Sequence, residues 1–201
     1  MYDIPVIKAP KLKQKPQDET KLGFGKKFTD YMFSMDYDPE HGWHNPRVEP
    51  YHPLNMDPAT LVLHYGQTIF EGLKCYRRAD GGVQLFRPRD NCDRFNRSAE
   101  RLSIPTFDVE VALAGLHKLI EVEADWVPRS EGTTLYIRPT IIATDPYLGV
   151  RASDTYLFFI ILSPVGAYYA HGLSPVSIYV EDEYVRAVRG GTGSAKTGGN
   201  Y

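Results

Sequence analysis

The sequence predicts an α+β fold: a small N-terminal domain of mixed or antiparallel sheet with packed helices, followed by the first part of a second domain. Three observations predict it. Short runs of strand character occupy 28–86 and 134–162, two helical periodicities stand together between them, and a Pro- and Gly-containing stretch at 163–174 precedes the last segment. A repeating strand–helix alternation would instead announce a wound parallel sheet.

The elements follow in order. Residues 1–22, rich in Lys, Gln and Pro, read as an extended arm, and 23–162 as the small domain. From Phe28 the pattern FTDYMFSMDY alternates as a strand does, and Pro39-Glu40-His41-Gly42 ends it in a turn. The short run 60–64 (TLVLH) is a further strand candidate. Residues 74–77 and 83–86 flank Ala79-Asp80-Gly81-Gly82, a hairpin signal. After Pro88 the period changes: Cys92, Phe95, Ala99 and Leu102 fall at helical spacing, and Pro105 stops that helix. A second helix over 109–125 carries Val111, Leu113, Leu116, Leu119 and Ile120. Strands at 134–144 and 155–162 complete the domain, 163–174 is the linker, and 176–180 (VSIYV) opens a larger domain that starts at 175.

Composition excludes several classes. With 42% hydrophobic and 24% charged residues, the chain can bury a real core. A net charge of -2 gives no electrostatic reason to expect nucleic acid or an anionic membrane as partner. The longest apolar run, 156–162 (YLFFIIL), is too short to span a bilayer, and the N-terminus lacks the apolar core of a secretory signal. Cys75 and Cys92 are far apart and outside any C-x-x-C, which predicts a reduced, cytoplasmic chain. His41, His44 and His52 fall in a proline-rich loop without an adjacent Cys or acidic ligand set, so no metal site is expected.

The segment Gly190-Gly191-Thr192-Gly193-Ser194-Ala195-Lys196-Thr197 nearly matches G-x-x-x-x-G-K-[ST], with Ala195 in place of the second glycine. A phosphate-cradling loop needs a preceding strand and a following helix, and two glycines after Thr197 are poor helix formers. A lysine bracketed by small residues also suits covalent chemistry with a planar cofactor, because glycines let the backbone approach a ring closely. A surface loop with an ordinary lysine is the third reading, and on composition alone it is the commonest.

A resemblance separates them. Residues 186–201, RAVRGGTGSAKTGGNY, resemble the lysine loop of branched-chain amino acid aminotransferases, pyridoxal-phosphate enzymes of fold type IV. The likeness runs on in order: FGKKFTDYM at 24–32, LHYGQTIFEGLK at 63–74, LFRP at 85–88 with DRFNRSA at 93–99, LYIRP at 135–139, LGV at 148–150 and SPVGAY at 163–168. It implies transfer of the amino group of Leu, Ile or Val to 2-oxoglutarate through a lysine–pyridoxal phosphate aldimine at Lys196. Arg94 would then hold the cofactor phosphate, with Arg186 and Tyr201 completing the cofactor set. Tyr136 and Arg138, two apart on a strand and so on one face, serve substrate recognition, Arg138 taking the distal carboxylate of glutamate or 2-oxoglutarate. Tyr65, Phe70, Phe28 and Tyr168 resemble the aromatic walls of the substrate pocket, and Glu71 reads as structural. Leu148 and Val150 resemble a loop reaching into a neighbouring subunit, which implies a homodimer. Family members continue past this stretch into a second half carrying the pyridine-nitrogen glutamate, so these 201 residues alone are expected not to transaminate. The alternatives are a D-amino acid aminotransferase, an aminodeoxychorismate lyase, or a non-catalytic nucleotide-binding module; the F-E-G-x-K and L-Y-I-R-P stretches argue against the first two.

Overall fold

The computed structural model describes residues 2–166 and 175–201. Seven strands, β1 (Tyr31–Asp38), β2 (Gly42–Pro50), β3 (Thr68–Phe70), β4 (Leu73–Arg77), β5 (Val83–Leu85), β6 (Thr134–Ala143) and β7 (Tyr156–Val165), form one sheet. Its order is β2-β1-β7-β6-β4-β5, with β3 joining β6 beside β4, and every strand pair is antiparallel. Three helices accompany it: α1 (Leu61–Tyr65), α2 (Pro88–Arg101) and α3 (Val109–Val122), of which α2 and α3 pack against the sheet and one another.

The period-2 geometry of β6 explains how one sheet holds both a core and a site. Leu135, Ile137 and Ile141 are fully buried beneath the helices, while Tyr136, Arg138 and Thr140 point to the opposite face and are half-buried. On the helix side, Phe158 of β7 meets Phe33, Phe95 and Phe107 at ring-centroid distances of 5.7, 5.5 and 5.1 Å, within the range aromatic pairs favour.

Several sequence expectations are corrected. Residues 60–64 lie not in a strand but at the start of α1. Asp57 organises that entry, its carboxylate accepting from the Ala59 N–H and its carbonyl from the Thr60 hydroxyl, and left-handed Gly66 closes the helix; local capping overrides the β-branched composition. The proline-rich stretch after Gly42 is not a loop but β2, an edge strand. Pro46 stands there at an irregularity in the β1–β2 register, where a missing donor costs nothing. Residues 176–180, where the larger domain is expected to open, are exposed and carry no regular structure. The second long helix ends at Val122, and a 3-10 turn (Ala124–Trp126) follows it. The arm is docked on β2: the Ile7 N–H donates to the Val48 carbonyl and the Val48 N–H to that of Pro5, while Ile4 is buried. Tyr168 and the expected linker beyond Gly166 lie outside the described residues.

At the sheet's base sits a buried acid. Glu123 is 2% exposed, accepts the Tyr31 N–H and lies near Asp30. Burial, reinforced by the Asp30 charge, pushes its carboxyl up from 4.5 to about 7. Between those values the folded chain keeps a proton that the unfolded chain has released, so this contribution is full below the unfolded pKa and is lost as pH rises through the folded one. At about 1.4 kcal/mol per unit, the loss between pH 4.5 and 7.5 is on the order of 3 kcal/mol. Glu123→Gln keeps the acceptor and removes the charge. Urea midpoints measured at pH 5 and pH 8 should therefore show the variant gaining stability relative to the parent at pH 8 and not at pH 5.

Candidate active site

The lysine segment is tied to β3 through one isolated bridge and two hydrogen bonds. Phe70 N–H donates to the Lys196 carbonyl at 3.0 Å, Thr197 bridges Ile69, and the Thr197 hydroxyl donates to the Thr68 carbonyl at 2.7 Å. From the other side the Lys196 N–H donates to Ser98 Oγ at 2.9 Å, and Arg101 donates to the carbonyls of Gly190 and Gly191. The loop's own polar groups are met by buried Asn200, whose amide donates to the Ala195 and Thr192 carbonyls. Main chain on both sides of Lys196 is therefore fixed, while its side chain is left half-buried.

That side chain enters an aromatic and cationic cluster. Lys196 Nζ stands 4.6 Å from the Phe70 ring centroid and 5.5 Å from that of Tyr201, with the Tyr201 hydroxyl at 3.5 Å. Arg138 lies 4.7 Å from the same Phe70 ring and donates to the Tyr136 hydroxyl at 2.9 Å, and Arg186 stands 5.9 Å from the Tyr201 ring. Gly72 makes room for Tyr136: a Cβ there would stand 2.4 Å from its hydroxyl, which explains the glycine after Phe70-Glu71. Among the described residues, the buried Nε of Arg138 has no hydrogen-bond partner.

Arg94 joins from α2. Its Nε donates to Glu71 Oε1 at 2.6 Å and its Nη2 to Glu71 Oε2 at 2.8 Å; Glu71 is 1% exposed, whereas the Arg94 side chain is 48% exposed. Those hydrogen bonds hold the guanidinium above its ordinary value, and the nearby Tyr201 hydroxyl adds to the effect. Asn91 and the Gly72 N–H also donate to Glu71, at 2.9 and 3.1 Å. Sequence reasoning read Glu71 as structural and passed over Asn91 and Ser98. A signal existed: Asn91, Arg94, Ser98 and Arg101 recur at helical spacing and make one polar stripe along α2.

The other expected residues stand apart from these contacts. Phe28 stacks on Tyr51 at 5.3 Å. The Tyr65 hydroxyl donates to the Leu148 carbonyl at 2.5 Å, tying α1 to a loop from which Leu148 (61% exposed) and Val150 (88% exposed) project.

The residues present fit pyridoxal phosphate. A primary amine lies beside the rings of Phe70 and Tyr201. Arg94 uses two donors on Glu71 and retains others for a phosphate, and among the described residues the buried Arg138 Nε is a further donor without a partner.

The fold and these contacts define an α+β domain in which a lysine-bearing loop is hydrogen-bonded to β3 and to α2. No protein-family model matches the chain. It is 61% identical over 190 residues to branched-chain-amino-acid transaminase 1 of Bacillus subtilis (strain 168), covering 94% of this chain and 53% of that protein. It is 56% identical over 191 residues to a probable branched-chain-amino-acid aminotransferase of Staphylococcus aureus (strain N315), again 94% of this chain and 53% of the relative. Among solved structures, the T.th. branched-chain amino acid aminotransferase with pyridoxamine 5'-phosphate superposes with a TM-score of 0.61 at 21% identity, over 87% of this chain and 52% of that one. The Escherichia coli enzyme gives 0.54 at 23% identity, over 85% and 50%. At those identities the superpositions establish the fold. The chain spans about half the length of the curated relatives it matches, and over that stretch it resembles branched-chain-amino-acid aminotransferases.

Proposed function

We propose that this chain carries the lysine-bearing part of a pyridoxal-phosphate-dependent aminotransferase that moves the amino group of Leu, Ile or Val to 2-oxoglutarate. The supporting observation is Lys196, whose main chain is clamped between β3 and α2 while its amine stands over Phe70 beside Tyr201. Residues 23–162 then act as the small domain and 175–201 as the start of the cofactor domain.

Bound there, pyridoxal phosphate supplies a carbonyl for attachment and an electron sink for the substrate's Cα. Lys196 Nζ would take the proton from that Cα and hand it to the cofactor's former carbonyl carbon, a role typically worth about 10²–10⁴-fold in rate. Arg94 grips phosphate with a guanidinium fork that Glu71 orients, and Arg186 adds positive charge beside Tyr201. Arg138 binds the distal carboxylate of 2-oxoglutarate or glutamate, with Phe70 and Tyr136 giving the aliphatic substrates an apolar wall. Tyr65, Phe28 and Tyr168 extend that wall. Leu148 and Val150, apolar and exposed, enter the pocket of a second subunit in a homodimer. The free thiols of Cys75 and Cys92 suit a reducing cytoplasm.

Incubation of the chain with pyridoxal phosphate, borohydride reduction and peptide mapping test the attachment. Saturable labelling of Lys196 ahead of the other lysines is expected; even labelling of all lysines would overturn the assignment. For the reaction, residues 1–201 exchanged for the matching part of the Bacillus subtilis transaminase should support leucine-dependent glutamate formation within about tenfold of the parent.

A further inference from the structure

Far from Lys196 in the sheet order, at the tip of the β1–β2 hairpin, three ligand-type side chains converge. Asp38 ends β1, His41 stands in the turn and His44 lies on β2; one ligand atom from each falls within 4.8 Å of the others. The turn is built by Asp38, whose Oδ1 accepts the N–H groups of Glu40 and His41 at 2.9 and 2.8 Å, and by left-handed Gly42 (φ 65°), which lets β2 start opposite Asp38. The histidines thus have the acidic neighbour that sequence reading denied them.

The hydrogen bonding of His44 is the telling feature. Its Nδ1 lies 2.9 Å from the Gly42 carbonyl. A carbonyl only accepts, so Nδ1 carries the hydrogen, and Nε2 of the neutral ring is a lone pair. That Nε2 faces Asp38 Oδ2 at 3.5 Å. Oδ2 is the oxygen that the turn's main chain leaves free, and His41 Nδ1 straddles the carboxylate, 3.0 Å from Oδ1 and 3.1 Å from Oδ2. With the ring neutral, that lone pair and the carboxylate oxygen are two acceptors 3.5 Å apart, which a cation between them, a proton or a metal ion, would satisfy. The 3.5 Å between His44 Nε2 and Asp38 Oδ2 suits a metal: ligands at roughly 2.0–2.2 Å in tetrahedral geometry around zinc stand about 3.3–3.5 Å from one another. The carbonyl bond to Nδ1 is the outer contact that orients a metal-bound histidine and fixes its tautomer.

We propose that Asp38 Oδ2, His44 Nε2 and His41 Nδ1 form a binding site for a first-row divalent cation of zinc type. Two imidazoles and one carboxylate match that class, whereas calcium and magnesium favour all-oxygen sets. Three protein ligands leave a position for water, and the exposure of His41 leaves the site open to solvent. By pinning the end of β1 to the start of β2, the ion would close the hairpin whose far end approaches the Asp30–Glu123 region. The site is independent of the aminotransferase reading, since among the described residues none of the three touches the lysine cluster.

The test is a zinc titration of the whole chain by calorimetry, with the cysteines alkylated so that thiols do not compete. One equivalent is expected to bind. The double variant His41→Gln/His44→Gln should weaken it at least 100-fold while the circular dichroism spectrum stays unchanged, and Asp38→Asn at least 10-fold. His52→Gln, which alters a histidine outside the trio, should bind like the parent. No binding by the parent, or binding undiminished in the double variant, would overturn the proposal. So would equal loss in His52→Gln, which would mark diffuse capture by surface imidazoles.

Discussion

Lys196→Ala is expected to abolish leucine-dependent glutamate formation in the Bacillus subtilis exchange protein, by at least 10³-fold, without unfolding the chain. The two effects separate because the lysine is held by its main chain. The Phe70 N–H to Lys196 carbonyl bond and the Lys196 N–H to Ser98 Oγ bond survive any side-chain change. The amine itself is half-buried and, among the described residues, makes only a 3.5 Å contact with the Tyr201 hydroxyl beyond its ring contacts. Stability should therefore move by no more than about 0.5 kcal/mol. The rate loss joins the acid–base contribution, about 10²–10⁴-fold, to the loss of the covalent anchor. Lys196→Arg sharpens the result: it keeps positive charge over Phe70 but offers no amine able to condense with a carbonyl or to shuttle a proton near neutral pH. If Arg restored more than a tenth of the parent rate, charge rather than amine chemistry would be the requirement, and the assignment would fail.

Much of this arrangement was legible in the residues themselves. A spacing of two on a strand placed Tyr136 and Arg138 on one face, and the structure keeps them there, in hydrogen-bond contact. The Asp80-Gly81-Gly82 turn set the β4–β5 pairing, and helical spacing at Cys92, Phe95, Ala99 and Leu102 set the buried side of α2. The rest depended on partners far along the chain. The strand β2 was hidden because two prolines lowered its β character, and only its place at the sheet edge makes them harmless. A five-residue run such as 60–64 offers too little periodicity to separate helix from strand, so the Asp57 turn before it and the Gly66 cap after it decided it. Glu71 was opaque for another reason: its meaning lies in Arg94, 23 residues on, and no local pattern records that pairing. Asp38 and His44 likewise came together only when the hairpin closed.

Replacing Glu71 should carry the second large effect, and it separates a residue that aims from one that merely fills space. Its buried carboxylate accepts from Arg94 twice, from Asn91 and from the Gly72 N–H. Glu71→Ala strands those donors and opens a void, so a cost toward the lower end of about 3–5 kcal/mol is expected, because Arg94 is half in water and keeps part of its solvation. Urea unfolding measures that cost. Glu71→Gln is the informative variant, since it fills the same volume but presents one carbonyl oxygen instead of two equivalent ones, and the bidentate grip on Arg94 is lost. If Arg94 meets the cofactor phosphate, its own truncation to Ala should cut the preference for pyridoxal phosphate over phosphate-free pyridoxal by roughly 10–150-fold, the worth of a charged hydrogen bond of about 1.5–3 kcal/mol. Glu71→Gln should cut the same ratio by about tenfold while pyridoxal itself binds as before. A purely structural Glu71 would weaken both ligands together and leave the ratio where it was. Arg94 would then owe its geometry to α2 alone, and the phosphate grip would have to be sought elsewhere in the cluster around Lys196.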